Sequence, residues 1–174
     1  GALPNGTNAY ANTGINASTV LTQNDNHASF YSRTNATGAS RACIGSYTGA
    51  GTNVYAMQLR IATNFVTATN ASSSQQATIA NTNSQGFYLM NKVSSAIGGL
   101  TLDKNGTQIA ANTVAVSTNT YPNVNVLIGA LTTSSQFDNK ECAGATIGPG
   151  LNSTKRGQIY TMIQAFNTSL SRQV

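Results

Sequence analysis

Few side chains in this sequence are equipped for acid–base or metal chemistry, and their spacing works against most of it. The carboxylates are Asp25, Asp103, Asp138 and Glu141, and the one imidazole is His27. Glycoside hydrolysis needs a paired acid and nucleophile or base. Asp138 and Glu141 lie three residues apart, so on a regular strand they point to opposite faces. Asp103 stands just before Asn105-Gly106 and reads as a turn former. Asp25 and His27 are neighbours, but calcium takes several hard oxygen ligands, more than one carboxylate among them. That pair therefore reads as a polar turn leading into a strand. Cys43 and Cys142 form no CxxC or Cys/His metal spacing. They are either a disulfide, whose long loop would contribute about 4–5 kcal/mol on the chain-entropy model, or small buried hydrophobes. The expectation is a non-enzymatic protein with no catalytic residue, no metal and no cofactor.

The composition favours contact over catalysis. The chain has 174 residues and 18.0 kDa, enough for one domain with a sizeable core. Charged residues make up 7 %, with nine Lys and Arg against four Asp and Glu. Asn and Thr supply about a quarter of the residues, so amides and hydroxyls wet the surface where ordinary domains use charges. Such a surface suits a virion or extracellular protein. The cations, at Arg33, Arg41, Arg60, Lys92, Lys104, Lys140, Lys155, Arg156 and Arg172, are scattered and read as isolated solvated charges. A nucleic-acid binder clusters them to neutralise several phosphates, so nucleic acid is not expected. No apolar stretch approaches the roughly 20 residues that span a bilayer, so no membrane insertion is expected and the chain reads as soluble. No secretory leader is visible, and a start at Gly1 suggests a processed product or a fragment. Sequons begin at Asn5, Asn16, Asn35, Asn70, Asn105, Asn152 and Asn167, at nearly the frequency that chance gives so Asn- and Thr-rich a chain.

The elements that must position these residues read as strands. Alternating or β-branched segments recur between turn clusters, near 28–33, 41–47, 54–61, 76–81, 86–91, 99–104, 107–110, 123–130 and 141–147, a pattern of an all-β sandwich. Asn105-Gly106 fits a type I′ turn, which places Lys104 opposite Thr107 across a hairpin. From Asn152 to about 171, Ile159, Met162, Ile163, Phe166 and Leu170 recur at helical spacing. Asn152 or Ser153 can cap this helix, and Ile159, Ile163 and Phe166 are expected to pack on a sheet. Residues 1–16 read as an N-terminal arm or extended segment, and 17–174 as the sandwich with its helix. Neutral loops at 48–53, 69–75 and 131–139 are the expected contact surfaces. Tyr47, Asn53, Tyr55, Asn70, Ser73 and Asp138 are their candidate glycan or partner contacts.

Five stretches, ASTVLTQNDNHASFYSRTN (17–35), NSQGFYLMNK (83–92), LDKNGTQIA (102–110), NVNVLIGAL (123–131) and FDNKECAGATIGPGLNSTKRGQIYTMIQAFNTSLSRQV (137–174), give the chain a recognisable order. Together they resemble the concanavalin A-like, laminin-G-like jelly-roll domains found at the ends of tailed-phage structural proteins and in some bacterial surface proteins. The resemblance implies a jelly roll of two curved antiparallel sheets with one C-terminal helix. The resemblance does not by itself supply a function, because this fold carries lectins, hydrolases and inert spacers alike. Size and composition favour a virion role, a phage tail fibre or capsid decoration, or a subunit of a bacterial extracellular fibre or adhesin. The expected partners are other virion or fibre subunits, as a homo-oligomer, and a cell-surface glycan. A glycan-active enzyme is the weakest alternative, because that chemistry needs closely alternating carboxylates.

Overall fold

A computed structural model describes residues 1–38, 41–50, 53–62, 65–115 and 120–174. The order is β1 (Ala11–Asn16), α1 (Ala17–Val20), β2 (Asn26–Ser32), β3 (Ile44–Ser46), β4 (Tyr55–Gln58), β5 (Phe65–Asn70) and β6 (Gln76–Ala80). Then follow β7 (Gly86–Lys92), β8 (Leu100–Lys104), β9 (Thr107–Ala111), β10 (Asn125–Ile128), β11 (Cys142–Gly148) and α2 (Ser153–Ser169). The strands form an antiparallel sheet of six, ordered β1-β10-β3-β4-β5-β6, and one of five, ordered β11-β2-β7-β8-β9. The all-β expectation with a C-terminal helix holds at this level.

Alternation decides what lies between the sheets. Ala28 and Phe30 of β2, Tyr88 and Met90 of β7 and Leu100 and Leu102 of β8 face Ile44, Tyr55, Met57, Val66, Ala68 and Val126 of the other sheet. Fully burying each of the larger side chains contributes about 1.5–3 kcal/mol. Asn105 and Gly106 have φ of 50° and 79°, as a type I′ turn requires, and Lys104 pairs with Thr107.

The interior strands β2 and β7 are buried along their whole length, because α2 covers their second face. Leu151, Ile159, Tyr160 and Ile163 pack on Tyr31, Phe87, Leu89 and Ala143. Asn152 is the N-cap, its side chain accepting from the Lys155 N–H at 2.9 Å. The expected seating of Phe166 is corrected: it is 56 % exposed, and Met162 is 64 % exposed. The helix is rolled toward Arg156, Tyr160 and Gln164. Arg156 bonds the buried Asp103 at 2.6 Å, and Gln164 accepts from the Tyr31 hydroxyl at 2.9 Å. These polar ties on one flank lift Met162 and Phe166 off the sheet.

Other expectations are redrawn by long-range pairing. Within the segment 1–16, Ala11–Asn16 is an edge strand paired with β10, and Ala2 bridges to Cys142. The loop expected from Thr69 begins only after Asn70, where β5 ends. Asp103 is a strand residue within β8 rather than a turn former. The cations are not all solvated: Lys92 and Lys140 are fully buried and Arg156 is half-buried.

Candidate functional site

The sequence scatters the candidate contacts, and the fold gathers only part of them. A groove of about 720 Å³ opens on the outer face of the six-stranded sheet. Its wall comes from Asn12 and Asn16 of β1, from Asn123 and from Asn125 and Leu127 of β10, from Tyr47 to Gly49 after β3, and from Leu131 to Gln136. Alternation explains its floor. Val126 and Ile128 belong to the core, so Asn125 and Leu127 turn outward.

The segment 131–136 lies over this face because Gly45 allows it. A Cβ on Gly45 would sit 2.5 Å from the Ala130 carbonyl oxygen and 2.5 Å from the Leu131 Cα. Leu131 joins Ala42 and Ala56 in a small apolar cluster, on which Tyr47 and Val54 pack. The half-buried Tyr47 ring is thereby held at the groove.

The polar lining is pre-positioned by its own hydrogen bonds. Asn125 Nδ2 donates to Asn12 Oδ1 at 3.0 Å, and Asn16 Nδ2 donates to Asn123 Oδ1 at 3.0 Å. Thr132 and Ser135 share a hydroxyl contact at 2.8 Å, and Gln58 Nε2 donates to Gln136 Oε1 at 3.3 Å. Each amide or hydroxyl retains donor or acceptor capacity for a ligand. Among the described residues no charged side chain lines the groove.

Of the candidate contacts, only Tyr47 lines this groove. Tyr55, Asn70 and Asp138 are corrected, since all three are fully buried. Tyr55 stacks edge-on with Tyr121 at 5.8 Å in the core. Asn70 donates to Asn26 Oδ1 at 2.9 Å and accepts from the Tyr121 hydroxyl at 2.7 Å. Asp138 pairs with buried Lys140 at 2.9 Å. Ser73 is exposed in the turn after β5, outside the groove, while Asn53 is half-buried and donates to Thr120 Oγ1 at 2.8 Å. Asn12, Asn16, Asn123 and Asn125 are not among the contacts expected from sequence. The alternation in Asn123-Val124-Asn125-Val126 is the signal for one amide-bearing face, but it names no partner strand.

The titratable residues are occupied elsewhere. Asp25 accepts from the Gly150 N–H at 2.6 Å, and Glu141 from Arg33 at 3.0 Å. Neither Asp138 nor Glu141 lies on a strand, since β11 begins at Cys142. His27 does not share a ligand with Asp25. Its Nδ1 lies 2.6 Å from the Pro149 carbonyl oxygen, so Nδ1 carries the proton, and Nε2 accepts from Thr146 Oγ1 at 3.1 Å. Among the described residues no three His, Cys, Asp or Glu side chains gather as a metal site. Cys43 and Cys142 are free thiols. Cys43 donates to the Met57 carbonyl at 3.0 Å, and burial pushes its thiol pKa well up. Burial also pushes Cys142 up, to about 11.

No family model matches the chain, and no curated protein matches it at a significant level.

Proposed function

We propose that this chain is a non-enzymatic surface module of a virion, a phage tail-fibre tip or capsid decoration, and that the groove at Tyr47 receives a neutral glycan. The observation that carries this reading is the groove's lining. A tyrosine ring stands beside many amides and hydroxyls, with no charge among them. A sugar presents an apolar C–H face and a ring of neutral hydroxyls, and such a surface meets both. The two antiparallel sheets with a C-terminal helix support a concanavalin-like jelly roll as the scaffold. The scarcity of charge supports an extracellular or virion-surface location.

The test is a panel of neutral and acidic oligosaccharides, followed by calorimetry on any that bind. A neutral oligosaccharide should bind with an affinity nearly independent of salt, because no ion pair is screened. Tyr47→Ala should weaken binding about tenfold or more. Binding only to acidic glycans, no binding across the panel, or full affinity in Tyr47→Ala would overturn the reading.

A second reading, a subunit of a bacterial extracellular fibre or adhesin, is favoured by Met162 and Phe166 of α2 and Leu170 at its C-cap, each at least 47 % exposed. Isolated exposed apolar residues are ordinary, but several on one helix face suit contact with a second copy. Head-to-tail assemblies in light scattering that Phe166→Asp abolishes would favour the fibre, and a monomer would exclude contact through this face.

A further inference from the structure

Along one wall of the groove at Tyr47, the hydrogen bonds use up the amide oxygens and leave the amide nitrogens. Asn12 Oδ1 accepts from the Gly14 N–H at 2.9 Å, and Asn16 Oδ1 accepts from the Ser18 N–H at 3.0 Å. A backbone N–H can only donate, so each contact fixes which end of the carboxamide is oxygen. The orientation then passes to the segment alongside. Asn125 Nδ2 donates to Asn12 Oδ1 at 3.0 Å, and Asn16 Nδ2 donates to Asn123 Oδ1 at 3.0 Å. The Ser18 hydroxyl lies against Asn16 Oδ1 at 2.9 Å and Asn123 Oδ1 at 3.2 Å, with one proton to give.

The groups left for a ligand are therefore unequal. The oxygens of Asn12, Asn16 and Asn123 are turned to these partners, whereas Asn12 Nδ2 and Asn123 Nδ2 have no acceptor among the described residues. Asn16 Nδ2 keeps a second N–H. At the pair Asn16–Asn123 only donors remain. Their two nitrogens are close neighbours, because Asn16 Nδ2 is 3.0 Å from the oxygen of the same carboxamide that carries Asn123 Nδ2. Two hydrogen bonds of about 2.9 Å can converge from there on one oxygen.

The facing segment differs. Thr132, Ser134 and Ser135 offer hydroxyls, which donate or accept and so meet sugar hydroxyls in either sense. A sugar hydroxyl at Asn16–Asn123 would accept an N–H but find no acceptor there for its own proton. A carbonyl oxygen takes two N–H groups and brings no proton. A carboxylate does so as well, but among the described residues no cation lines the groove to offset its desolvation. We infer that the groove selects a neutral sugar bearing an acetyl group, on nitrogen or on oxygen, whose carbonyl oxygen accepts from Nδ2 of Asn16 and Asn123. This rests on the neutral-glycan reading above and names the group that the site recognises.

Calorimetry on matched neutral pairs tests it: cellotriose against triacetylchitotriose, and cellotriose against its O-acetylated form. The acetylated member should bind about tenfold tighter or more, and the pair that shows it identifies the linkage. Equal or tighter binding by cellotriose would overturn the acetyl site and leave a neutral-glycan groove standing. No binding by any of the three would overturn the acetyl site, and silence across the wider panel would overturn the glycan reading too. Asn123→Asp keeps an oxygen for Asn16 and removes the amino group, so it should fold and lose the preference; a folded variant that keeps it would overturn the site. In the wild type, the side-chain NH2 resonances of Asn16 and Asn123 should shift on titration with the acetylated sugar. Binding that leaves both unmoved would also overturn it.

Discussion

At the scale of single residues, burial converts ordinary polar side chains into determinants of stability. Asp103 is 2 % exposed, and burial raises its pKa while the Arg156 guanidinium opposes that shift. This pair is a fixed anchor for α2, and removing one partner of such a pair destabilises by about 3–5 kcal/mol. His27 acts in the opposite sense. Burial lowers its pKa below 6.5, outweighing the Pro149 carbonyl that raises it. Between that lowered value and about 6.5 the unfolded chain binds the proton more readily than the folded one, so stability rises with pH there. The His27 contribution is complete above the unfolded pKa and is lost as pH falls through the folded one. Urea unfolding of the wild type and His27→Gln should therefore converge as pH falls from about 7 to about 5. A constant gap between the two curves would count against this account.

At the scale of elements, the helix shows how a stripe of apolar residues can be divided by what it meets. Ile163 packs on the cluster around Phe87 and Leu89, whereas Phe166 is 56 % exposed with Arg172 over its ring at 5.6 Å. Ile163→Ala should lower stability by about 1–3 kcal/mol, as partial burial of its methyl groups implies. Phe166→Ala should change it by less than about 1 kcal/mol. Chemical denaturation of the two variants checks the ordering, and a larger loss for Phe166 would mean that α2 is rolled the other way.

At the scale of the whole molecule, the sandwich sets which groups solvent can reach. Cys43 is sealed between the sheets, and Cys142 lies at the beginning of β11, bridged by Ala2 on its outer side. Thiolate is the reactive form, and burial suppresses it at both sites. Alkylation of the folded protein near neutral pH should be slow at both residues and slowest at Cys43. Denaturation without reductant should release two labelled cysteines, and recovery of none would show that the pair is oxidised. The groove at Tyr47 is likewise a product of the whole assembly, because it draws on β1, β10 and two loops.

Short-range information was enough for several features. Alternation of side chains identified most strands, Asn105-Gly106 specified its hairpin, and Asn152 with the residues after it specified a capped helix. What pairs with what was beyond that range. Ala11–Asn16 has little apolar alternation and is a strand because β10 offers it a ladder. Asn12, Asn16, Asn123 and Asn125 become one surface only through that pairing. Local periodicity tells which residues of an element share a face, but burial depends on what distant chain lies against it. Phe166 therefore stayed exposed, while Tyr55, Asn70, Asp138 and Lys92 went inside, for reasons that only the packing of the two sheets and α2 supplies.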